Sequence, residues 1–441
     1  MSSSSACCVA SPRRSRRPMK IFFVPYYFYL HYESFRRVIG SLNRSGVDAF
    51  LLYVPGNPFQ DRLSSELDQI RRNGCPFLEL PLRWRGWSGP GFLARSTRVP
   101  GLVLNRKIIE AFLRKGKPDL VVVGSDLGGV YVRLLLEACR RQQIPVMILA
   151  TYFSGPPAAD SVANNHPTIP GFAKLFLRAL GLEEVALFNH WLIGSFLTKA
   201  PIAVPGEAVK KQLVAQGISP GRFFITGDPA HDRIFERLLE PAEEIKRAVC
   251  RRLGWSADRH LIVYCSQPIH EIYGMAYLER LNEWLARAFD ALPPECGVLI
   301  KLHPREKPET AARFRAVFSG ERYRIVADHD LHELLRVADL CIGHFSKAMV
   351  DAILMGVLVA TIDLQNDESH VLLDKSYRLL RVESEEELGP KLRSLLFDPR
   401  VREAAAEQLA VWHRDFANRI DGQSAQRTAD LIRTLASASA A

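Results

Sequence analysis

The sequence has 441 residues, 47% of them hydrophobic and 24% charged, a balance that excludes a disordered or fibrous chain. This length exceeds what one ordinary core fills and predicts two α/β domains. The net charge of +10 favours a polyanion, an anionic membrane or an anionic small molecule as partner, without choosing among them.

Eight cysteines are scattered along the chain, and no two of them have CxxC spacing. This distribution argues against a zinc ribbon and against a disulfide framework. Cys139, Cys265 and Cys341 stand in apolar runs, as small core residues do. We therefore expect a cytoplasmic protein.

Residues 1–18 are rich in Ser and Arg and predict a disordered basic tail. Ser15-Arg16-Arg17 before an apolar run is faintly similar to a twin-arginine export signal. The run contains many aromatics and a proline, however, and no small-residue cleavage site follows, so we favour a tail before the first strand. Met19 is an alternative start of translation. No apolar stretch reaches the ~18 residues of a membrane span.

Strands and helices alternate from Met19 onward, and the strands are continuously apolar, which is typical of a parallel sheet covered on both faces. The predicted strands of the first half are Lys20–Val24, Ala49–Val54, Pro118–Gly124, Pro145–Ala150, Ile202–Pro205 and Phe223–Gly227. The predicted helices are Ser34–Arg44, Lys107–Leu113, Tyr131–Gln142 and Glu207–Gln216.

A charged stretch from Asp232 to Arg247 marks the predicted domain junction, after which the pattern restarts. The later strands are predicted at Leu261–Cys265, Gly297–Lys301, Tyr323–Val326, Leu340–Gly343 and Leu358–Ile362, with helices at Met275–Ala291, Ser346–Leu354 and Arg402–Ala436. We therefore predict an N-terminal domain at 19–231, a C-terminal domain at 232–405, and a terminal helix at 406–441 that returns to the first domain.

Three segments resemble GT-B glycosyltransferases and their relatives, the UDP-GlcNAc 2-epimerases and CDP-glycerol polymerases. They are Pro118–Ala150, Ile202–Asp232 with its Thr226-Gly227-Asp228-Pro229, and Leu299–Asp363 with Lys301-Leu302-His303-Pro304-Arg305, Ser346 and Met355-Gly356. The resemblance implies the GT-B fold, an α/β architecture of two Rossmann-like domains whose parallel sheets face each other across a cleft. It implies a nucleotide-activated donor bound to the C-terminal domain.

A His-Pro pair at a strand end, with a serine about forty residues on, resembles motifs of bacterial sialyltransferases and Kdo transferases. In those families the His and Ser hold the phosphates of a cytidine nucleotide. The carboxyl ends of parallel strands and the start of a helix both favour phosphate binding. The implied donor-site residues are His303, Pro304, Arg305, Lys301, Ser346, Lys347, Asp351, Ser266, Gln267 and Asp228.

Each of these positions also has a structural interpretation. In the alternative, Ser346 only caps the start of a helix. The direction of the Lys301 side chain depends on the pleat of its strand. In relatives, a carboxylate at the place of Asp351 bonds the ribose hydroxyls, although many of them carry Glu there. In the alternative, Asp351 lies on a solvated helix face. Asp228 either turns the chain between domains or touches the cleft.

A catalytic base should come from the first domain, where the acceptor binds in this fold. Asp126 follows a predicted strand in a loop expected to open on the cleft; in the alternative, it caps the next helix. His31 is its rival, otherwise packed among tyrosines, and Glu33 is a further candidate.

No metal site is predicted. Asp328-His329-Asp330 matches a metal-binding DxD pattern, but Asp330 opens a capping box at a helix start, and His329 and His332 lack a third partner. The epimerases also carry a Glu-Ala-Gly turn that is absent from the matching stretch here, Ala150–Gly155. That difference argues against epimerase chemistry.

The sequence thus predicts a metal-independent glycosyltransferase of surface polysaccharide or glycolipid synthesis, with no cofactor beyond a CMP-, CDP- or UDP-type sugar donor and a hydroxyl acceptor. The alternatives are a nucleotide-sugar epimerase or hydrolase, a CDP-glycerol-type transferase, and a non-catalytic polyanion binder. Dispersed basic residues and the absence of an RNA-binding motif predict no nucleic-acid partner.

Two stretches predict contact of the first domain with the inner face of an anionic membrane, and hence a lipid-linked acceptor. Residues 82–107 hold six basic residues interleaved with aromatics and no acidic residue, and residues 169–197 are rich in Leu and Phe. In the alternative, the first stretch is an ordinary surface loop and the second forms helices buried in the domain.

Overall fold

The computed structural model describes residues 17–25, 28–54, 63–83, 92–127, 129–151, 171–187, 193–365, 373 and 376–440. Most of the predicted tail lies outside these residues, as do residues 84–91 of the proposed membrane-contact stretch and residues 152–170.

The first half of the chain forms a seven-stranded parallel sheet in the order β3-β2-β1-β4-β5-β6-β7. Its strands are β1 Lys20–Val24, β2 Asp48–Tyr53, β3 Phe77–Glu79, β4 Leu120–Val123, β5 Val146–Leu149, β6 Ile202–Val204 and β7 Phe223–Ile225. Its helices are α1 Phe28–Arg44, α2 Leu63–Arg72, α3 Phe92–Gly116, α4 Val130–Arg141, α5 Gly171–Ala179, α6 Glu183–Leu187 and α7 Glu207–Ala215, with 3₁₀ turns at Pro220–Arg222 and Pro229–His231.

The second half forms a six-stranded parallel sheet in the order β10-β9-β8-β11-β12-β13. Its strands are β8 His260–Cys265, β9 Cys296–Lys301, β10 Tyr323–Val326, β11 Leu340–Gly343, β12 Val359–Ile362 and β13 Arg381–Val382. The remaining helices are α8 Asp232–Leu238, α9 Ala242–Leu253, α10 His270–Tyr273, α11 Met275–Asp290, α12 Pro308–Val317, α13 Leu331–Arg336, α14 Lys347–Leu354, α15 Glu385–Phe397, α16 Pro399–Ala417 and α17 Ser424–Ala440.

Two Rossmann-like parallel sheets confirm the predicted fold class. Alternate residues of β1 show why the strands are apolar throughout: Phe22 and Val24 belong to one buried cluster, and Ile21 and Phe23 to another. Because both faces of the sheet are covered, positions 21–24 of the strand are all apolar, and only the half-buried Lys20 at its start is charged.

The last helix packs on the first sheet. Ala429 and Ile432 of α17 lie in the same buried cluster as Ile21 and Phe23. The Asp232 carboxylate accepts hydrogen bonds from the backbone N–H groups of Ser424 and Ala425, both at 2.9 Å, and so caps the start of α17. The chain therefore passes twice between the two halves, at α8 and again along α16, whose Phe416 carbonyl lies against Gly206 of the first half.

Helix α8 is held by both halves. Arg37 of α1 pairs with Glu236 at 2.7 Å, while Arg237 pairs with Asp330, at the start of α13, at 2.8 Å. These pairs hold the junction between the two halves.

Candidate functional site

The strand order of the second sheet reverses between β8 and β11, which are adjacent in the sheet although 74 residues separate Cys265 from Leu340. Ligands of open α/β sheets bind beyond the carboxyl ends of the strands at such a reversal. Ser266 follows β8, and Ser346 follows β11. His303 follows the adjacent strand β9.

A tight turn carries His303. The Glu306 N–H donates to the His303 carbonyl at 2.9 Å, with Pro304 at the second position, where its fixed φ suits the turn. The His303 Nδ1 accepts a hydrogen bond from the Arg305 N–H at 3.1 Å. In a neutral imidazole this contact puts the proton on Nε2, so His303 can donate to a phosphate oxygen.

Ser266 ties β8 to the His303 turn. Its hydroxyl, on a side chain that is 3% exposed, accepts from the His303 N–H at 2.9 Å and lies 3.3 Å from Glu306 Oε1. Ser266 and His303, both predicted for the donor site, are therefore in direct contact. The amide oxygen of Gln267 is buried and has no hydrogen-bond partner among the described residues.

Two predicted phosphate-binding cations are engaged within the protein. Lys301 donates from Nζ to the carbonyls of Leu302 at 3.2 Å and Ala327 at 2.5 Å, and burial lowers its pKa. Arg305 is exposed and pairs with Glu271. A phosphate would have to compete with these contacts.

Ser346 stands at the start of α14 with the extended backbone of an N-cap residue, but its hydroxyl makes no capping hydrogen bond. The Ser346 Oγ is buried and has no partner among the described residues. A buried hydroxyl normally finds a partner, so a phosphate oxygen at this helix start would satisfy it.

Lys347 and Asp351 form the strongest charge pair of the site. Lys347 Nζ lies 3.0 Å from Asp351 Oδ1, and His332 Nε2, from α13, lies 3.1 Å from Asp351 Oδ2. Burial would raise the pKa of Asp351, but Lys347 and His332 hold it well below its usual range. Both carboxylate oxygens are engaged, which contradicts a solvated helix face.

Lys347 connects the two halves. Its side chain is 40% exposed. Burial lowers its pKa, but the carboxylates of Asp351 and, from the first domain, Asp228 and Glu33 raise it more. A solvent-accessible cation near carboxylates of both halves is suited to bind a ligand phosphate.

Asp228 has the structural role that was foreseen for it. Its Oδ1 accepts from the Ser34 hydroxyl at 2.6 Å and from the Ala230 N–H at 2.9 Å, which fixes the turn between the domains. Its Oδ2 lies 3.6 Å from His231 Nε2. His231 is 3% exposed, and burial lowers its pKa, so the imidazole is neutral near pH 7.

The prediction that Asp126 opens on the cleft is wrong. The residue is fully buried, and its carboxylate accepts from the backbone N–H groups of Gly194, Phe196 and Leu197 at 2.8, 2.9 and 2.8 Å. It does not cap α4 either, because Gly129 occupies the N-cap position. Through these contacts Asp126 holds the loop at 193–197 in place.

His31 lies on α1 and packs against Gly124, which directly follows β4. It is 2% exposed, and a Cβ on Gly124 would lie 2.2 Å from its Cδ2 atom. Only glycine therefore admits the imidazole at this strand end. Burial leaves His31 no open path to an acceptor in this conformation.

Within the described part of the chain, no group of three His, Cys, Asp or Glu side chains could hold a metal ion. Asp330 caps α13 by accepting from the His332 N–H at 2.9 Å, as the capping-box pattern predicts. No helix among the described residues is long and apolar enough to span a membrane.

Neither a family model nor a curated protein sequence matches the chain. Several solved structures are similar to the chain in fold. A UDP-GlcNAc 2-epimerase from Neisseria meningitidis bound to UDP-GlcNAc has 15% identity and a TM-score of 0.59, over 95% of this chain and 99% of that one. A glycosyltransferase from Rickettsia africae has 14% identity and a TM-score of 0.58, over 95% and 99%. The wall teichoic acid polymerase TagF has 12% identity and a TM-score of 0.56, over 96% and 90%.

The two parallel sheets and these near-complete alignments show that the chain has the GT-B fold, which those glycosyltransferase and epimerase structures share.

Sequence reasoning missed three groups of the site. His332 was considered only as a metal ligand without partners, whereas it holds Asp351. His231 and Glu306 had no assigned role. A histidine next to a Gly-Asp-Pro turn and an acid three residues after a His-Pro pair are the only sequence signals they carry.

Proposed function

We propose that the protein is a glycosyltransferase that moves a sugar from a nucleotide-activated donor, held by the C-terminal domain, to a hydroxyl acceptor held by the N-terminal domain. Surface polysaccharide or glycolipid synthesis is the proposed setting. The observation that carries the proposal is Lys347, a partly exposed cation set between carboxylates of both halves.

The proposed chemistry places the donor's phosphates at the carboxyl ends of β8, β9 and β11. The His303 Nε2–H, the start of α14 at Ser346 and the Lys347 ammonium would stabilise the charge that develops on the departing nucleotide. The sugar would pass through an oxocarbenium-like transition state.

A UDP-sugar is supported as donor by the structural neighbour bound to UDP-GlcNAc. The proposal of a CMP- or CDP-sugar as donor rests on the His-Pro and Ser motifs. Epimerase chemistry remains the second candidate because a neighbour with 95% coverage of this chain is an epimerase.

The test is incubation of the protein with a panel of UDP-, CMP- and CDP-sugars and of hydroxyl acceptors, followed by product analysis. Transfer to an acceptor supports the proposal. Release of free monosaccharide or formation of an epimer supports the second candidate, and no binding of any donor leaves the non-catalytic alternative.

Turnover is expected to be the same with and without EDTA. His303, Lys347 and the start of α14 can carry the charge of the leaving group without a metal ion. The measurement is the initial rate after chelation, and complete loss that magnesium or manganese restores would contradict it.

The His303→Ala variant is expected to bind nucleotide about 1–3 kcal/mol more weakly than wild type, because a hydrogen bond to a charged partner is lost. Calorimetric titration measures the change. His260→Ala is the matched control, since that residue lies at the amino end of β8, at the opposite edge of the sheet, and the affinity of this variant should equal that of wild type. Equal affinity of the His303 variant would remove this residue from the site.

We also propose that the N-terminal domain docks on an anionic membrane. Leu175 and Phe176, adjacent on α5, are 67% and 56% exposed, and Leu104 of α3 is 42% exposed. Arg106 of α3 donates to the Leu180 carbonyl at 2.7 Å, which joins the two helices. Each basic residue near an anionic surface adds about 1 kcal/mol, so the binding should be sensitive to salt.

Co-sedimentation with vesicles of anionic lipid tests this docking. Wild type is expected to sediment at low salt and not at high salt, and a variant with Arg83, Arg85, Arg95 and Arg98 replaced by Ser should stay in the supernatant. Wild type that fails to sediment at low salt would favour a soluble acceptor.

A further inference from the structure

Glu306 is the acidic residue that closes the His303 turn, and it is half-buried. Its Oε1 lies 3.3 Å from the Ser266 hydroxyl. A serine hydroxyl has one proton, and Ser266 already accepts from the His303 N–H, so that proton is directed to Glu306. Glu306, Ser266 and the His303 backbone thus form one hydrogen-bonded chain.

This hydrogen-bonded chain joins the ends of two adjacent strands. Ser266 ends β8 and His303 follows β9, so the serine sets the distance between the strand end and the turn. The imidazole direction then follows from the same turn, because His303 Nδ1 is held by the Arg305 N–H.

The surroundings of Glu306 are desolvated. Its Oε2 is buried without a partner among the described residues, as are Gln267 Oε1 and His270 Nδ1. Burial raises the pKa of Glu306. Burial of a carboxyl group costs free energy unless the group is hydrogen-bonded, and Glu306 has such a contact with Ser266.

We infer that Glu306 is a positioning residue of the donor site, which fixes through Ser266 the turn that directs the His303 imidazole at the nucleotide. The inference rests on the proposed function for the identity of the ligand, but the hydrogen-bond chain itself can be tested without any ligand.

The first measurement is nuclear magnetic resonance of ligand-free protein with isotope-labelled histidine, in which His303→Ala assigns the His303 signals. Wild type is expected to show the Nε2–H tautomer. Glu306→Ala and Ser266→Ala should shift the His303 ring signals, whereas the control Glu309→Ala, at an exposed site on the same segment, should not. If Glu306→Ala does not fold, Glu306→Gln, which keeps an oxygen facing Ser266, should show a smaller shift.

The second measurement is calorimetric titration with UDP, and with CMP as second probe. Glu306→Ala should weaken binding roughly tenfold, but should have no further effect in a His303→Ala background. Unchanged His303 signals in Glu306→Ala, or an equal loss of affinity in both backgrounds, would overturn the inference. Shifted His303 signals in a protein that binds neither probe would instead support the hydrogen-bond chain and count against the proposed function.

Discussion

Asp126→Ala is expected to lower the free energy of unfolding by about 3–5 kcal/mol. The substitution removes the acceptor of three backbone N–H groups, those of Gly194, Phe196 and Leu197, and leaves them in a place with little access to water. Each unsatisfied buried donor is destabilising, and the loop at 193–197 loses its anchor. Urea-induced unfolding measures the change.

Asp398→Ala is the matched control. Asp398 also accepts from two backbone N–H groups, those of Arg400 and Val401, but as the exposed cap of α16. Its replacement should cost only about 1 kcal/mol. An Asp126→Ala protein with nearly unchanged stability and no turnover would contradict the structural role and restore Asp126 as the catalytic base.

Lys347→Met is expected to lower turnover by about 10²–10³-fold, because the variant loses a cation placed to stabilise the leaving group's charge. The Asp351 carboxylate would keep only His332 as partner, and Asp228 and Glu33 would then repel an incoming phosphate. Initial rates with the donor found in the panel assay measure the loss.

Lys210→Met controls for the removal of a lysine as such. Lys210 forms an ion pair with Glu207 at 3.2 Å on the surface of α7, and an exposed pair of this kind contributes little. Its variant should keep the rate of wild type. If Lys347→Met also kept that rate, the leaving-group role of Lys347 would be excluded.

Much of the fold could be predicted because buried parallel strands are apolar at every position. Leu120–Val123 is buried throughout, and such runs appear in the sequence without any structural information. The start of α14 after Ser346 and the cap at Asp330 followed from local chemistry, which acts within a few residues.

Other elements were not predicted correctly, for physical reasons. Helix α1 begins at Phe28, six residues before the predicted start, in an aromatic run that favours a strand by composition. Helix α3 runs from Phe92 through Pro100, although proline normally ends a helix. The two-residue strand β13 is too short for a periodic signal.

The site was predictable only in part, because its contacts join distant segments. The Asp126 partners lie 68–71 residues along the chain. The Lys347 environment combines α1, the turn at Asp228 and α14, which lie in different halves. Local patterns identified the strand ends and the helix start, but not which charges meet there.

The central claim is that the cleft binds a nucleotide, and a thermal-shift screen of wild type with CMP, CDP, UDP, GDP and ADP tests it most directly. A ligand that binds the native state raises the melting temperature in a concentration-dependent way. We predict that UDP or a cytidine nucleotide stabilises wild type and that His303→Ala and Lys347→Met lose this effect. If none of the five nucleotides changes the melting temperature of wild type at millimolar concentration, the claim is contradicted.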